Sequence, residues 1–126
     1  MDFNFIACND FKIEDLNDVE IFVNSYPDFQ SVILDDEKDL ELLLDLFCIQ
    51  NWTTVELQNS EFIKYWDLST SKLPEFDEEQ FDAFYETWIK KANRDNNMDE
   101  FGNLNFLRGL SAKWNKLQYR LIVRER

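Results

Sequence analysis

Between Glu75 and Arg94 the chain reads EFDEEQFDAFYETWIKKANR, and the apolar residues of this stretch fall on one stripe. Phe81, Phe84, Tyr85, Trp88, Ile89 and Ala92 recur at the i, i+3, i+4, i+7, i+8, i+11 spacing of one helix face. Asp77 and Gln80 stand at the positions of a capping box, and Phe76 and Phe81 at those of a hydrophobic staple. Acids open the segment, and Lys90, Lys91 and Arg94 close it, as the helix dipole favours. The pattern predicts a helix over 77–93 at the structural centre of the fold.

A second helix is predicted in DDEKDLELLLDLFCIQ, where Leu40, Leu43, Leu44 and Phe47 form one face, widened by Leu42, Leu46 and Ile49. Asp35 or Asp36 is its natural N-cap. NNMDEFGN reads as a polar turn, after which Leu104, Leu107, Leu110, Trp114 and Leu117 mark a further helix. Three short segments bounded by polar turns read as strands: 2–7 (DFNFIA), 30–35 (QSVILD) and 52–57 (WTTVEL). Two segments stay open between helix and strand: 14–26, where Leu16, Val19, Val23 and Tyr26 make a helical stripe but VEIFV alternates, and 118–124. The expected architecture is α+β, helix-dominated, a single domain over 1–126 with a small sheet of about three short strands.

Composition narrows the chemistry. The 126 residues are 44% apolar and 16% aromatic, enough for one filled core, although the formal charge is -13. Two glycines rule out a glycine-rich phosphate cradle. The absence of histidine removes the commonest general base and every Ser-His or Cys-His nucleophile pair. Cys8 and Cys48 lie far apart in apolar settings, which points to reduced core thiols in a cytoplasmic protein. No apolar run approaches the length of a membrane span, and no cofactor is implied.

Two motif-like patterns fail on inspection. YPDFQSVILDDEK offers Asp28, Asp36 and Lys38 in the outline of a metal-dependent nuclease, but Asp36 and Lys38 fall where a helix should begin, and the motif needs them on a strand. DNNMDEFGNLNF, 95–106, begins like a calcium-binding EF-hand loop, yet Glu100 stands where glycine is required and Phe106 where a bidentate acid is required. Neither pattern supports catalysis, so the chain reads as a non-enzyme.

Charge carries the functional signal. Residues 1–87 hold 22 acids against 4 lysines, net -18; residues 88–126 hold 4 acids against 9 basic residues, net +5; together they make -13. Glu37, Glu41 and Asp45 repeat every four residues on one predicted helix, and Glu78, Asp82 and Glu86 on another. Four helical residues advance about 6 Å, so each set is a row of like charge. Each like-charged i, i+4 pair costs roughly 0.2–0.5 kcal/mol, which invites a reason outside the fold. The basic tail KWNKLQYRLIVRER is expected to complete the core with its apolar side and to turn its charges toward the acidic part of the chain. Trp88 and Trp114 lie on apolar stripes; Trp52 and Trp66 do not, and are candidate partner contacts. These features fit an acidic binding protein that occupies a basic surface on a nuclease toxin or nucleic-acid-binding complex. Immunity proteins and phage DNA mimics act in this way, without binding nucleic acid themselves.

Overall fold

A computed structural model describes residues 1–8, 29–56, 64–68, 71–114 and 120–125. In chain order the elements are β1 (Asp2–Cys8), β2 (Gln30–Ile33), α1 (Glu37–Leu46), β3 (Thr53–Glu56), β4 (Lys64–Asp67), α2 (Glu78–Ala92), α3 (Met98–Trp114) and β5 (Arg120–Glu125). The predicted segment 14–26 lies outside the described residues.

The architecture is α+β, but the sheet corrects the expectation of about three strands. It has five, all antiparallel, in the order β2-β1-β5-β4-β3. The three predicted strands are present as β1, β2 and β3. Two further strands join β3 to the rest: β4, which the sequence reading did not include, and β5, the strand alternative left open at 118–124. β4 is only KYWD, four residues, and β5 settles the tail as strand. β5 does not show the apolar/polar alternation of a half-buried strand. Paired on both sides and buried on both faces, it carries Leu121, Ile122 and Val123 in succession, each 0% exposed.

Helix ends follow local chemistry. Asp36 caps α1, its carboxylate accepting the Asp39 N–H at 3.0 Å. At α2 the capping box is complete: Gln80 N–H donates to Asp77 Oδ1 at 2.7 Å, and Asp77 N–H to Gln80 Oε1 at 3.0 Å. The staple rings of Phe76 and Phe81 lie 6.5 Å apart. Both C-termini close with a left-handed residue, Cys48 (φ 62°) and Asn93 (φ 53°). Ile49 N–H then reaches back to Leu44 O, and Arg94 N–H to Ile89 O. The chain uses neither of its glycines at these two positions. Cys48 is consequently turned outward as an exposed free thiol, which corrects its expected place in the core.

The expected turn NNMDEFGN is shorter than its sequence implied. Asn97 Oδ1 accepts the Glu100 N–H at 2.9 Å, an N-cap that starts α3 at Met98. Met98 to Phe106 of the EF-hand-like pattern are therefore helical, so the pattern is not a calcium-type loop.

One sheet face presents Phe3, Phe5, Val32, Trp66, Leu121 and Val123 to the helices, which answer with Leu40, Leu43, Leu44, Phe81, Phe84, Tyr85, Trp88, Leu104 and Leu107. The stripe that predicted α2 packs as an aromatic cluster. Phe84 stacks on Phe47 at 5.2 Å and on Phe76 at 5.1 Å, while Phe101 meets Tyr85 edge-on at 5.1 Å. Such pairs add about 0.5–1.5 kcal/mol each beyond area burial. The other sheet face is buried as well, through Asn4, Ile6, Tyr65, Ile122 and Arg124.

Candidate partner-binding surface

The acidic rows stand on two packed helices whose relative placement follows from their contacts. Phe47, just after α1, stacks on Phe84 in the first half of α2, whereas Arg94, just after α2, reaches Asp35 and Asp39 at the start of α1. The helices therefore run antiparallel. At about 100° per residue, Glu37 and Asp39 lie about 200° apart around α1. Asp39 faces Arg94 at the end of α2, so the Glu37 row occupies the flank of α1 turned away from α2. The two rows do not merge into a single face.

Glu41, Asp45, Glu78, Asp82 and Glu86 are exposed, and none of them pairs with a described cation. Glu37 differs from its row-mates. Its carboxylate meets Lys64 Nζ of β4 at 2.6 Å, a contact that raises the Lys64 pKa. The same ammonium lies 5.1 Å from the centre of the Trp66 ring.

Glu125 of β5 comes to this point from inside the sheet. It is 2% exposed, and one of its carboxyl oxygens has no hydrogen-bond partner. Burial pushes its pKa up, the neighbouring Glu37 pushes it further, and Lys64 opposes both. Register brings the group together: Glu125 and Glu56 both lie opposite Lys64 in the ladder. Sequence reasoning missed Lys64, Glu56 and Glu125, because no local spacing connects three strands and a helix.

The tryptophans separate. Trp66 is 1% exposed and edge-packed on Phe3 at 5.7 Å, so it is core and not the surface anchor its irregular spacing implied. Register explains the burial: Trp66 lies opposite Val123 of the central strand. Trp52 is half-buried against the core at the start of β3 and retains an exposed part.

Within β5 the apolar residues of the basic tail behave as expected, and Arg124 does not. Leu121, Ile122 and Val123 complete the core, but Arg124 turns to the sheet face away from the helices and donates from Nε to Asn4 Oδ1 at 2.7 Å. Arg94 instead is the cation that holds the acidic part together, between Asp35, Asp39 and Glu100. Burial works against its charge, yet Glu100 and then the two aspartates keep its pKa above the ordinary value.

Of the nuclease-like trio, Asp28 lies outside the described residues, Asp36 uses its carboxylate as a helix cap, and Lys38 is exposed in the first turn of α1. Among the described residues no group of three or more His, Cys, Asp or Glu is set to hold a metal ion, and no helix is long and apolar enough to cross a membrane. Comparison of the chain with protein-family models, with curated proteins and with solved structures gives no match.

Proposed function

We propose that this chain is a non-catalytic acidic binding protein that inhibits a partner by occupying its basic surface, as an immunity protein does against a nuclease toxin. One observation carries the reading: Glu41 and Asp45 on α1, with Glu78, Asp82 and Glu86 on α2, are exposed like charges without a described counter-ion. The fold tolerates their repulsion, and a basic partner relieves it while the field speeds encounter. The cytoplasm, where Cys48 stays a thiol, suits such a protein.

The test starts from affinity capture in the native host, followed by association kinetics with the captured protein. Glu41→Lys with Asp45→Lys, or Glu78→Lys with Asp82→Lys, slows association while circular dichroism stays unchanged. The rate of the parent falls as salt shortens the Debye length from about 10 Å at 0.1 M to about 3 Å at 1 M. Rates that ignore salt and both double variants sink the proposal. Competition with DNA for the partner marks a DNA mimic; binding beside the nucleic-acid site marks a dedicated inhibitor.

A further inference from the structure

The two outer strands of the sheet are finished differently. At β2 the amide of Asn103, on α3, accepts the Ile33 N–H at 2.9 Å and donates to the Ile33 carbonyl at 3.0 Å. One side chain thus takes both outward backbone groups of Ile33, and Gln30 Nε2 takes the Ser31 carbonyl at 3.0 Å. At β3 no described residue bonds the outward edge: Thr53–Glu56 pair only with β4. Thr53, Thr54 and Glu56 are exposed. An unpaired edge is a template for another strand, whose main chain supplies affinity and whose alternate side chains supply specificity.

The charge beside this edge selects the occupant. Glu37, at the start of α1, sits over Lys64, the ladder partner of Glu56 at the end of β3. The end of α1 leads within a few residues to Trp52 at the start of β3. The helix therefore runs alongside β3 in the opposite sense, and the flank carrying Glu41 and Asp45 is the one turned away from α2. Glu56 and Thr54 point to the same side of the sheet as Lys64 and Trp66, their ladder partners. Lys64 is already held by Glu37, so the edge offers uncompensated carboxylates. A second copy of a chain with net charge -13 would be repelled here.

We infer that the outer edge of β3 is a strand-addition site for an extended, basic segment of a partner protein. The backbone of that segment pairs with Thr53–Glu56, and its Lys or Arg side chains meet Glu56, Glu41 and Asp45. The inference rests on the acidic-partner reading and deepens it, assigning contact to the α1 row.

A short synthetic peptide alternating lysine and valine is the probe, with a twin N-methylated at alternate amides. Titration calorimetry and amide exchange are measured on the unaltered protein and on Glu41→Lys/Asp45→Lys. The parent peptide binds and protects outward-facing amides of β3 but not of β2, while N-methylation and the charge reversal each weaken binding by about tenfold or more. No binding, equal binding of the N-methylated twin, or protection confined to other elements overturns strand addition. In the second of these cases a loss on charge reversal still supports the acidic-partner reading. Binding that needs the peptide amides but ignores charge reversal overturns the basic-partner half of the inference and removes the α1 row from the proposed function, which then stands or falls on the α2 row.

Discussion

Glu100 and Glu125 are both buried glutamates, at 8% and 2% exposure, and they live in opposite surroundings. Glu100 Oε1 accepts the Trp88 indole N–H at 2.8 Å and lies 2.8 Å from Arg94 Nε. Its charge is compensated from two sides, and it ties the C-terminal end of α2 to the start of α3. Glu125 has a second carboxylate, Glu37, beside it and an oxygen without a partner. The first is a cross-link between helices, since removing it leaves the buried Trp88 donor without an acceptor and takes one of three carboxylates from Arg94. The second is a cost that the sheet carries. Burial alone does not say whether a charged residue holds a fold together; the partners decide.

The largest expected effect tests the compensated site. Glu100→Ala leaves the Trp88 N–H without an acceptor and removes the carboxylate beside Arg94 Nε, and denaturant unfolding should show a loss of about 3–5 kcal/mol, the usual cost of breaking a buried pair. A loss below about 1 kcal/mol would mean that Asp35 and Asp39 alone satisfy Arg94, and that the contrast with Glu125 is false.

The next effect has the opposite sign. Glu125→Gln keeps the shape and removes a poorly partnered buried charge, so stability at neutral pH should rise by about 1–3 kcal/mol. The pH profile sharpens this. The folded-state carboxyl of Glu125 keeps its proton to a higher pH than the same group in the unfolded chain. Its contribution is therefore full in acid, below the ordinary carboxyl range, and is lost as pH rises through the raised folded-state value. Unfolding followed across that window should show a falling component in the parent that is missing in Glu125→Gln. An unchanged slope would place the titration elsewhere.

The smallest effect concerns the helix that carries Glu100. Gly102 lies inside α3, and a Cβ built there meets nothing within 4 Å. Gly102→Ala should add about 0.5–1 kcal/mol by lowering the entropy of the unfolded chain. A thermal midpoint that falls would show that the start of α3 needs a backbone that only glycine supplies.

Legibility in the sequence tracked how local each cause was. The stripe from Phe81 to Ala92, the Asp77 cap and the α1 cap depend on residues within one or two turns, and all three features formed, with Asp36 taking the cap left open between it and Asp35. Asn97 was equally local but was passed over, because the polar run around it resembled a turn. The open choice at 118–124 could not be decided from periodicity. β5 is a strand because β1 and β4 flank it, and β1 pairs it across most of the chain: Phe3 opposite Glu125, Cys8 opposite Arg120. The acidic rows were visible as spacing, but the removal of Glu37 from its row by Lys64 was not.

By itself, the sequence determined three segments that become helices, where two of them start, and that several carboxylates repeat at helical spacing. These outcomes follow from periodicity and from hydrogen bonds between near neighbours. Tertiary structure alone decided the sheet order, the burial of Trp66, the capture of Glu37, and the contrast between a β2 edge closed by Asn103 and an open β3 edge. Each depends on groups that are far apart in the chain and meet only after strand pairing has fixed the register. No local pattern encodes such a meeting, because the entropy of closing those loops is offset only by the packing of the whole domain.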